Sequence, residues 1–242
     1  MEKTALITGA SKRIGKALTQ FLAENGWSVI IHYNTSEKPA KDLESELKRK
    51  FPNQNFFPVQ TDLSNLDEVV KLISKVVSDI GKFQLLVNNA SVFDPGYIYE
   101  TSEKLFESQF NVNLRAPFFL IRDFAKYCKA GNIINFVDTR VTMNKSNFAA
   151  YSLSKKGLMD LTKMAALEFA PNIRINAIAP GVTLPPPDED ENYLHKLAEK
   201  IPMKKPGGVE PILKSVDYIL KNDHLTGQLL FADGGENLGQ NV

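Results

Sequence analysis

Short β-branched runs alternate with longer amphipathic stretches along the whole chain. Between the first two runs and again after the third, apolar residues recur at helical spacing and stop at Gly26 and Gly81. Strands that alternate with helices form crossover units, and such units build parallel sheets. The alternation predicts an α/β fold, a doubly wound seven-stranded parallel sheet with helices on both faces. The predicted strands are residues 4–8, 28–33, 55–60, 83–88, 132–137, 173–179 and 228–232, and two of the predicted helices are 14–26 and 66–81.

The chain of 242 residues shows no composition shift and no long linker. A single domain over residues 1–242 is therefore predicted. One segment is biased, "TLPPPDEDENYLHKLAEKIPMKKPGG", in which three prolines precede an acidic run. A solvated loop would have this composition. Its position just past a predicted strand end also suits a substrate lid, which we expect around residues 183–205.

The charges of the chain almost cancel, with 29 Lys and Arg against 28 Asp and Glu. No global field would recruit nucleic acid or an anionic membrane, so a small-molecule partner is expected instead. The amino terminus enters an apolar run at once, without the pattern of a secretion signal, and no run of eighteen apolar residues occurs. We therefore expect a cytoplasmic protein. The three histidines lack metal-ligand spacing, so no metal is predicted.

The segment "TGASKRIG" follows the first predicted strand and opens the first predicted helix. Gly9 and Gly15 allow a tight turn, and they let the amino end of the helix approach a pyrophosphate. A plain tight turn could use the same glycines. The strand-turn-helix context favours a dinucleotide-binding loop.

The segment after the second strand, "HYNTSEK", contains no acid before Glu37. An enzyme that uses NAD usually places a carboxylate there for the ribose hydroxyls. A 2′-phosphate would instead meet His32, Asn34 and Ser36, with Lys12 as a point charge. This pattern favours NADPH as cofactor.

Tyr151 and Lys155 lie four residues apart at the start of a long predicted helix. This spacing puts both side chains on one helix face. A phenol has a pKa near 10, and a neighbouring ammonium would lower it by stabilising the phenolate. The pair is therefore a candidate acid–base group. Asp138 stands thirteen residues before the tyrosine.

Together with "VNNA", "NVNL", "APG" and "DGG", these motifs resemble the short-chain dehydrogenase/reductase family over essentially the whole chain. The resemblance implies a Rossmann fold, hydride transfer with NADPH and catalysis by Tyr151, Lys155 and Asn113. Tyr151 would be the acid, Lys155 would hold the ribose, and Asn113 would anchor a proton-relay water. The cofactor site implied by the resemblance consists of Gly9, Ser11, Lys12, Arg13, Ile14, Gly15, Tyr33, Asn34, Ser36, Asp62, Leu63, Asn89, Ala90, Ser91, Lys155, Pro180 and Gly181.

The resemblance also implies specific contacts and an oligomer. Asp62 would lie at the adenine, Asn89 and Ala90 beside the ribose, and Pro180 and Gly181 by the nicotinamide. A homo-oligomer, dimer or tetramer, is expected. Its interface would use the predicted helices at 103–129 and 150–169.

Two positions depart from the usual family pattern. Arg13 replaces the middle glycine of the loop, and Asp138 replaces a serine whose hydroxyl binds a substrate carbonyl oxygen. An ionised carboxylate cannot donate a hydrogen bond and would repel an oxyanion, so it suits a substrate with N–H groups that is reduced at a C=N bond. Thr139 is one residue out of register, and strand alternation would turn it to the other face.

These departures, with "HYNTS", "NNASVFDP" and "INFVDTRV", resemble the pteridine reductase branch of the family, which includes dihydromonapterin reductases. The resemblance places the pterin between Phe93 and the nicotinamide, and its implied substrate residues are Arg13, Ser91, Phe93, Asp138 and Tyr151. Members of this branch can carry arginine where Thr35 stands. The contact to the 2′-phosphate would then pass to Lys12 and Ser36.

The sequence thus predicts an NADPH-dependent reductase of dihydropterins. One alternative is a short-chain reductase of another carbonyl substrate, such as 3-oxoacyl thioesters, in which Asp138 would be a local exception. The other is a cofactor-binding regulator that kept the fold and lost the chemistry, although Tyr151, Lys155 and Asn113 are all present.

Overall fold

All seven predicted strands form in the computed structural model, which describes residues 3–186 and 189–239. They lie parallel in one sheet of order β3-β2-β1-β4-β5-β6-β7, so the prediction of a doubly wound Rossmann fold is confirmed. The strands are β1 Lys3–Ile7, β2 Trp27–Tyr33, β3 Phe56–Gln60, β4 Leu85–Asn88, β5 Gly131–Phe136, β6 Ile173–Pro180 and β7 Leu229–Ala232.

Helices cover both faces of the sheet. Side chains of a strand alternate between the faces, and in β1 Ala5 and Ile7 join one apolar cluster while Leu6 joins another. Both faces are therefore buried, which explains the nearly continuous apolar runs in the sequence. The helices are α1 Arg13–Glu24, α2 Glu37–Lys50, α3 Leu66–Asp79, α4 Glu103–Phe110, α5 Ala116–Tyr127, α6 Ala149–Phe169, α7 Glu191–Ala198 and α8 Glu210–Lys221.

The helix predicted at 103–129 is interrupted. A π-helical turn, Asn111–Arg115, separates α4 from α5. Pro117 lies in the first turn of α5, and its ring cannot supply the N–H that the Asn113 carbonyl would accept in a regular helix. The wider π turn accommodates this proline, and such turns are frequent at functional sites.

Large apolar side chains are exposed on the helices that the family resemblance assigns to an interface. They are Phe106 on α4, Phe118 on α5, and Leu153, Met164 and Leu167 on α6. Self-association through these helices stays a prediction. Over the described residues, the structure has no helix that is long and apolar enough to cross a membrane.

The first turn of α1 packs against the end of β1 at a distance that only glycine permits. A Cβ atom on Gly15 would lie 2.0 Å from the carbonyl oxygen of Gly9. Gly9 itself has a φ of +63°, which side chains rarely adopt. These two glycines let the helix start directly above the strand end.

We predict that Gly15→Ala destabilises the protein by about 3 kcal/mol or more, because backbone atoms would have to move to admit the methyl group. Gly26→Ala is the matched control, since Gly26 has a φ of +81° with no atom within 4 Å of an added Cβ. That variant should lose only about 1 kcal/mol. Urea unfolding of both variants measures the difference, and equal losses would contradict the close packing.

Candidate active site

The carboxyl ends of β1, β4, β5 and β6 surround three adjoining cavities. An inner chamber of about 220 Å³ adjoins a phosphate cradle of about 310 Å³ and an outer chamber of about 310 Å³. In doubly wound folds, ligands bind at this edge, where the strand order reverses. The predicted site residues that line these cavities are Gly9, Lys12, Arg13, Ile14, Gly15, Asn89, Ala90, Ser91, Phe93, Asp138, Tyr151, Lys155, Pro180 and Gly181.

A carboxylate and a phenol meet in the inner chamber. Tyr151, in the first turn of α6, donates its hydroxyl to Oδ2 of Asp138 at 2.7 Å. The other oxygen of Asp138 accepts the backbone N–H of Arg140 at 2.8 Å, because Asp138 caps the 3-10 turn that follows β5. Asp138 is thus both a cap and a partner of the tyrosine, and the backbone contact at Oδ1 fixes the direction in which Oδ2 faces Tyr151.

The Tyr151 phenol is held in its protonated form. Burial raises its pKa well above 10, and the charge of Asp138 and their hydrogen bond raise it further, while Arg140 and Ser91 act in the opposite direction. The prediction that Lys155 lowers this pKa is wrong for this structure, because the adjacent carboxylate is the dominant charged neighbour. The phenol can therefore act only as a proton donor around neutral pH.

Lys155 lies deep beneath the tyrosine. Its side chain is only 2% exposed, and its Nζ donates to the carbonyl oxygen of Phe136 at 2.8 Å. Its Nζ is 5.8 Å from the centre of the Tyr151 ring. Burial lowers the pKa of Lys155 to about 8, although the charge of Asp138 raises it. The residue remains mostly charged at neutral pH and leaves donors available toward the inner chamber.

Thr139 does not turn away as strand alternation predicted. β5 ends at Phe136, and Thr139 opens the 3-10 turn, so the two-residue period no longer applies. Its hydroxyl lies 3.4 Å from Oδ1 of Asp138, and it lines the outer chamber. The threonine therefore supports the carboxylate.

Asn113 is buried in the π turn and connects three elements. Its Oδ1 accepts from the Ser91 hydroxyl and from the Val92 N–H, both at 3.0 Å. Its amide nitrogen lies 3.0–3.2 Å from oxygens of Val92, Gln109 and Ser154. These contacts use the full capacity of the amide, so a relay water would have to bind its main-chain carbonyl. The relay itself stays a prediction.

Two stacked aromatic rings form a wall beside the tyrosine. The Phe93 and Phe148 rings lie 4.2 Å apart with an angle of 3°, and the Tyr151 ring meets Phe93 edge-on at 4.6 Å. The Arg140 guanidinium covers the Phe148 ring at 4.6 Å. Phe148 was not among the residues predicted from the sequence. Its position three residues before Tyr151 in the same motif is the only signal that could have identified it.

The loop between β1 and α1 fits a pyrophosphate. Lys12 is the N-cap of α1 and makes no side-chain cap bond, so the helix N–H groups face the phosphate cradle without a side-chain acceptor. Gly9 and Gly15 keep the cradle open, since a Cβ on either would contact backbone atoms. Ser11 is buried behind the loop, and Ile14 forms part of the cradle wall.

Arg13 connects this loop to the lid segment. Its guanidinium donates to the carbonyl oxygens of Pro185 at 2.8 Å and Leu184 at 3.4 Å. Its backbone has a φ of +51°, the conformation for which the family pattern uses glycine. The lid was predicted around residues 183–205, and residues 187 and 188 of it lie outside the described part of the chain.

His32 supports the phosphate loop from behind. It is 2% exposed, and its Nδ1 accepts the N–H of Gly9 at 3.0 Å. Its Nε2 lies 3.1 Å from the carbonyl oxygen of Thr61, which requires the proton on Nε2. Burial lowers the pKa of His32 to about 4. The prediction that His32 meets a 2′-phosphate is therefore wrong, because the imidazole is buried and neutral.

The ends of β2 and β3 place the predicted nucleoside residues together. Asn34 donates to Oδ1 of Asp62 at 3.4 Å, and the same oxygen accepts from Ser64. Leu63 packs into the core, so only its backbone is available to a ligand. Ser36 is the N-cap of α2, but its side chain makes no cap hydrogen bond to the first turn of the helix. Tyr33 packs partly against the core at the end of β2.

Thr8 and Asn89 hold the phosphate loop against the end of β4. The Thr8 hydroxyl accepts the N–H groups of Asn89 and Ala90 at 2.9 and 3.0 Å. The Asn89 amide donates to the carbonyl oxygens of Thr8 and Gly9 at 2.9 and 3.2 Å. Asn89 thus positions the loop, whereas its predicted place beside the ribose stays untested. Sequence analysis did not identify Thr8.

The segment after β6 passes close to the turn after β7. A Cβ on Gly181 would lie 2.5 Å from Cα of Asp233, and the N–H of Gly181 donates to Ala232. Pro180 and Gly181 line both the inner and the outer chamber. Within the described residues, no group of three or more His, Cys, Asp or Glu side chains is placed to hold a metal ion.

A sequence profile of the short chain dehydrogenase family matches residues 3–193. The chain belongs to the short-chain dehydrogenase/reductase family. This oxidoreductase is 31% identical over 243 residues to the 3-oxoacyl-(acyl-carrier-protein) reductase FabG of Staphylococcus epidermidis, with 97% of the chain and 99% of the relative covered. It is 29% identical over 278 residues to pteridine reductase 1 of Leishmania tarentolae, with 97% and 96% covered.

Two solved structures resemble this oxidoreductase closely. The FolM alternative dihydrofolate reductase 1 of Brucella canis, complexed with NADP, has a TM-score of 0.91 and 33% identity, with 99% of this chain and 96% of that chain covered. The same protein of Brucella suis, also in complex with NADP, has a TM-score of 0.92 and 32% identity, with 99% and 97% covered.

We predict that Arg13→Gly is more stable than Arg13→Ala by about 1 kcal/mol, because both lose the lid contacts and only glycine relieves the positive φ. Lys12 provides the control, since its φ is −141°. Glycine there should be no more stable than alanine. Urea unfolding measures both pairs, and a more stable Arg13→Ala would contradict the strained backbone.

We predict that acid destabilises the protein through His32. The folded pKa of about 4 lies below the ordinary histidine pKa of 6.5, so the unfolded chain binds more protons between these values. Stability is therefore full above pH 6.5 and falls by about 3 kcal/mol as the pH drops to about 4. Urea unfolding across this range should show a reduced slope for His32→Gln and the wild-type slope for His224→Gln, which alters an exposed histidine. An unchanged slope in His32→Gln would refute the assignment.

Proposed function

We propose that this protein is an NADPH-dependent reductase that converts a dihydropterin to a tetrahydropterin. The observation that carries the proposal is the Asp138 carboxylate, which faces the inner chamber 2.7 Å from the Tyr151 hydroxyl. A carboxylate in this place accepts hydrogen bonds and repels a developing oxyanion. A nitrogen heterocycle satisfies both conditions, since it supplies N–H groups and is reduced at a C=N bond.

The cofactor would lie along the carboxyl edge of the sheet. The amino end of α1 and Lys12 would bind its phosphates, and Lys155 would bind its ribose, while Pro180 and Gly181 would border the nicotinamide. When bound, NADPH supplies the hydride. A 2′-phosphate would meet Asn34, Ser36 and Lys12, because His32 is engaged with Gly9.

Tyr151 would complete the reduction by giving its proton to the ring nitrogen. Hydride addition to the carbon of C=N leaves an electron pair on the nitrogen, and a new N–H bond then forms as the phenolic O–H breaks. The resulting nitrogen base is far stronger than a phenolate, so the raised pKa of Tyr151 does not prevent the transfer. Asp138 would hold an N–H group of the substrate and thereby orient the ring toward the tyrosine.

Phe93 would hold the flat ring in place. One face of Phe93 stacks on Phe148, while 51% of the side chain remains exposed toward the outer chamber. Offset stacking of aromatic rings contributes about 1 kcal/mol beyond burial. A pterin between Phe93 and the nicotinamide would extend the existing stack. The names of the Brucella and Leishmania relatives, dihydrofolate and pteridine reductases, agree with such a substrate.

A second candidate function is the reduction of 3-oxoacyl thioesters, because FabG reductases are similar to this chain at 31% identity. That reaction forms an oxyanion beside the tyrosine. Asp138 would face this oxyanion without a proton to donate, so the site geometry favours the pterin.

We predict that NADPH is consumed with dihydropterins and only weakly with an acetoacetyl thioester. A spectrophotometric screen with dihydromonapterin, dihydrobiopterin, dihydrofolate and the thioester, side by side, measures this preference. Faster turnover of the thioester would refute the pterin proposal and favour the reduction of 3-oxoacyl thioesters. Tight NADPH binding with no turnover of any substrate would indicate a cofactor-binding regulator.

We predict that Asp138→Ser and Asp138→Asn each lower kcat/KM for a dihydropterin about 100-fold while the Kd for NADPH stays unchanged. Asparagine is the sharper probe, because its oxygen can still accept the Arg140 N–H while its NH₂ replaces the acceptor that faces Tyr151. Full pterin turnover in Asp138→Asn would refute the role proposed for the carboxylate. Steady-state kinetics and cofactor titration test both variants.

A further inference from the structure

We propose that Glu236 selects the substituent of the substrate, accepting hydrogen bonds from a neutral hydroxylated side chain and disfavouring a side chain that ends in carboxylates. This inference rests on the proposed pterin reductase function and specifies the substrate class of the same site. Glu236 was not among the candidate residues found in the sequence. It follows the "DGG" motif after β7.

Glu236 lines the outer chamber, which Asp138 shares with the inner one. The reacting bond must lie in the inner chamber, because Tyr151 and Lys155 are there. The part of the substrate that does not react then extends past Asp138 into the outer chamber. The cavity of about 310 Å³ leaves room for a substituent beside Glu236.

The backbone around Glu236 is held firmly in place. Asp233 accepts the N–H of Gly235 at 2.9 Å, and its other oxygen accepts the N–H and the amide of Asn237, both at 2.7 Å. Gly235 has a φ of +89°, and a Cβ there would lie 2.8 Å from the Pro202 ring. The backbone on both sides of Glu236 is thus fixed, which limits the positions that its carboxylate can reach in the outer chamber.

The charges around Glu236 oppose a second anion. The carboxylates of Asp138 and Asp233 and the cations of Lys145 and Arg140 are its charged neighbours. Burial raises the pKa of Glu236, followed by the two carboxylates, whereas the two cations lower it.

The two cations on the wall of the outer chamber, Arg140 and Lys145, are engaged in part or screened by water. Among the described residues there, Arg140 donates to Asn147 and stacks on Phe148, and Lys145 is exposed to water. A carboxylate tail would therefore meet the repulsion of Glu236 with little compensation. Hydroxyl groups would instead find an acceptor.

The test compares two dihydropterins in the NADPH-dependent reaction, dihydromonapterin with its neutral trihydroxypropyl chain and dihydrofolate with its glutamate tail. We expect Glu236→Gln to raise the ratio of kcat/KM for dihydrofolate over dihydromonapterin about tenfold, mainly through a lower KM for dihydrofolate. Glu236→Asp should keep the wild-type ratio because it keeps the charge. Added salt should reduce the preference of the wild-type protein for dihydromonapterin over dihydrofolate.

Glu199→Gln is the matched control, since it removes one negative charge from an exposed residue just after α7 and should leave the ratio unchanged. An unchanged ratio in Glu236→Gln, or an equal loss with both substrates, would refute the selection and assign Glu236 a structural role, while the proposed function would stand. Failure of the wild-type protein to reduce any pterin would overturn both.

Discussion

The hydrogen bond between Tyr151 and Asp138 joins the two elements on which the site depends. Asp138 belongs to the turn after β5, and Tyr151 opens α6, so the contact of 2.7 Å sets the helix against the carboxyl edge of the sheet. The same bond determines the chemistry. Burial, the charge of Asp138 and this bond together raise the pKa of the phenol and keep it protonated. In the proposed function, a carboxylate then faces the substrate where a hydroxyl would favour a ketone.

Around this bond, polar side chains from distant segments serve mainly to position other groups. His32 holds Gly9, Asn89 holds the loop after β1, and Asn113 holds the segment that leads to Phe93. These contacts satisfy buried donors and acceptors, which would otherwise cost stability. The cofactor cradle and the aromatic wall thus depend on buried hydrogen bonds formed between different strands.

The phosphate loop and the segment predicted to form a lid are coupled through one side chain. Arg13 occupies a left-handed conformation and reaches Pro185 and Leu184, so it bridges cradle and lid. The strain of this conformation is of the order of 1 kcal/mol, which the hydrogen bonds to the lid offset. The turn after β7 brings Glu236 to the wall of the outer chamber.

The periodicity of the chain by itself determined the architecture, because runs buried on both faces and amphipathic helices each leave a local pattern. Strand positions and helix boundaries followed closely, except that a π turn before Pro117 interrupts the helix predicted at 103–129. The motif spacing also located Tyr151, Lys155 and Asp138, since these residues lie near one another in the chain.

Only the tertiary structure assigned their contacts and charge states. Separate strands and turns meet at the site, and their contacts determine the roles of Phe148, His32 and Thr8, the raised pKa of Tyr151 and the place of Glu236. Burial and electrostatic coupling there depend on neighbours that are distant in sequence.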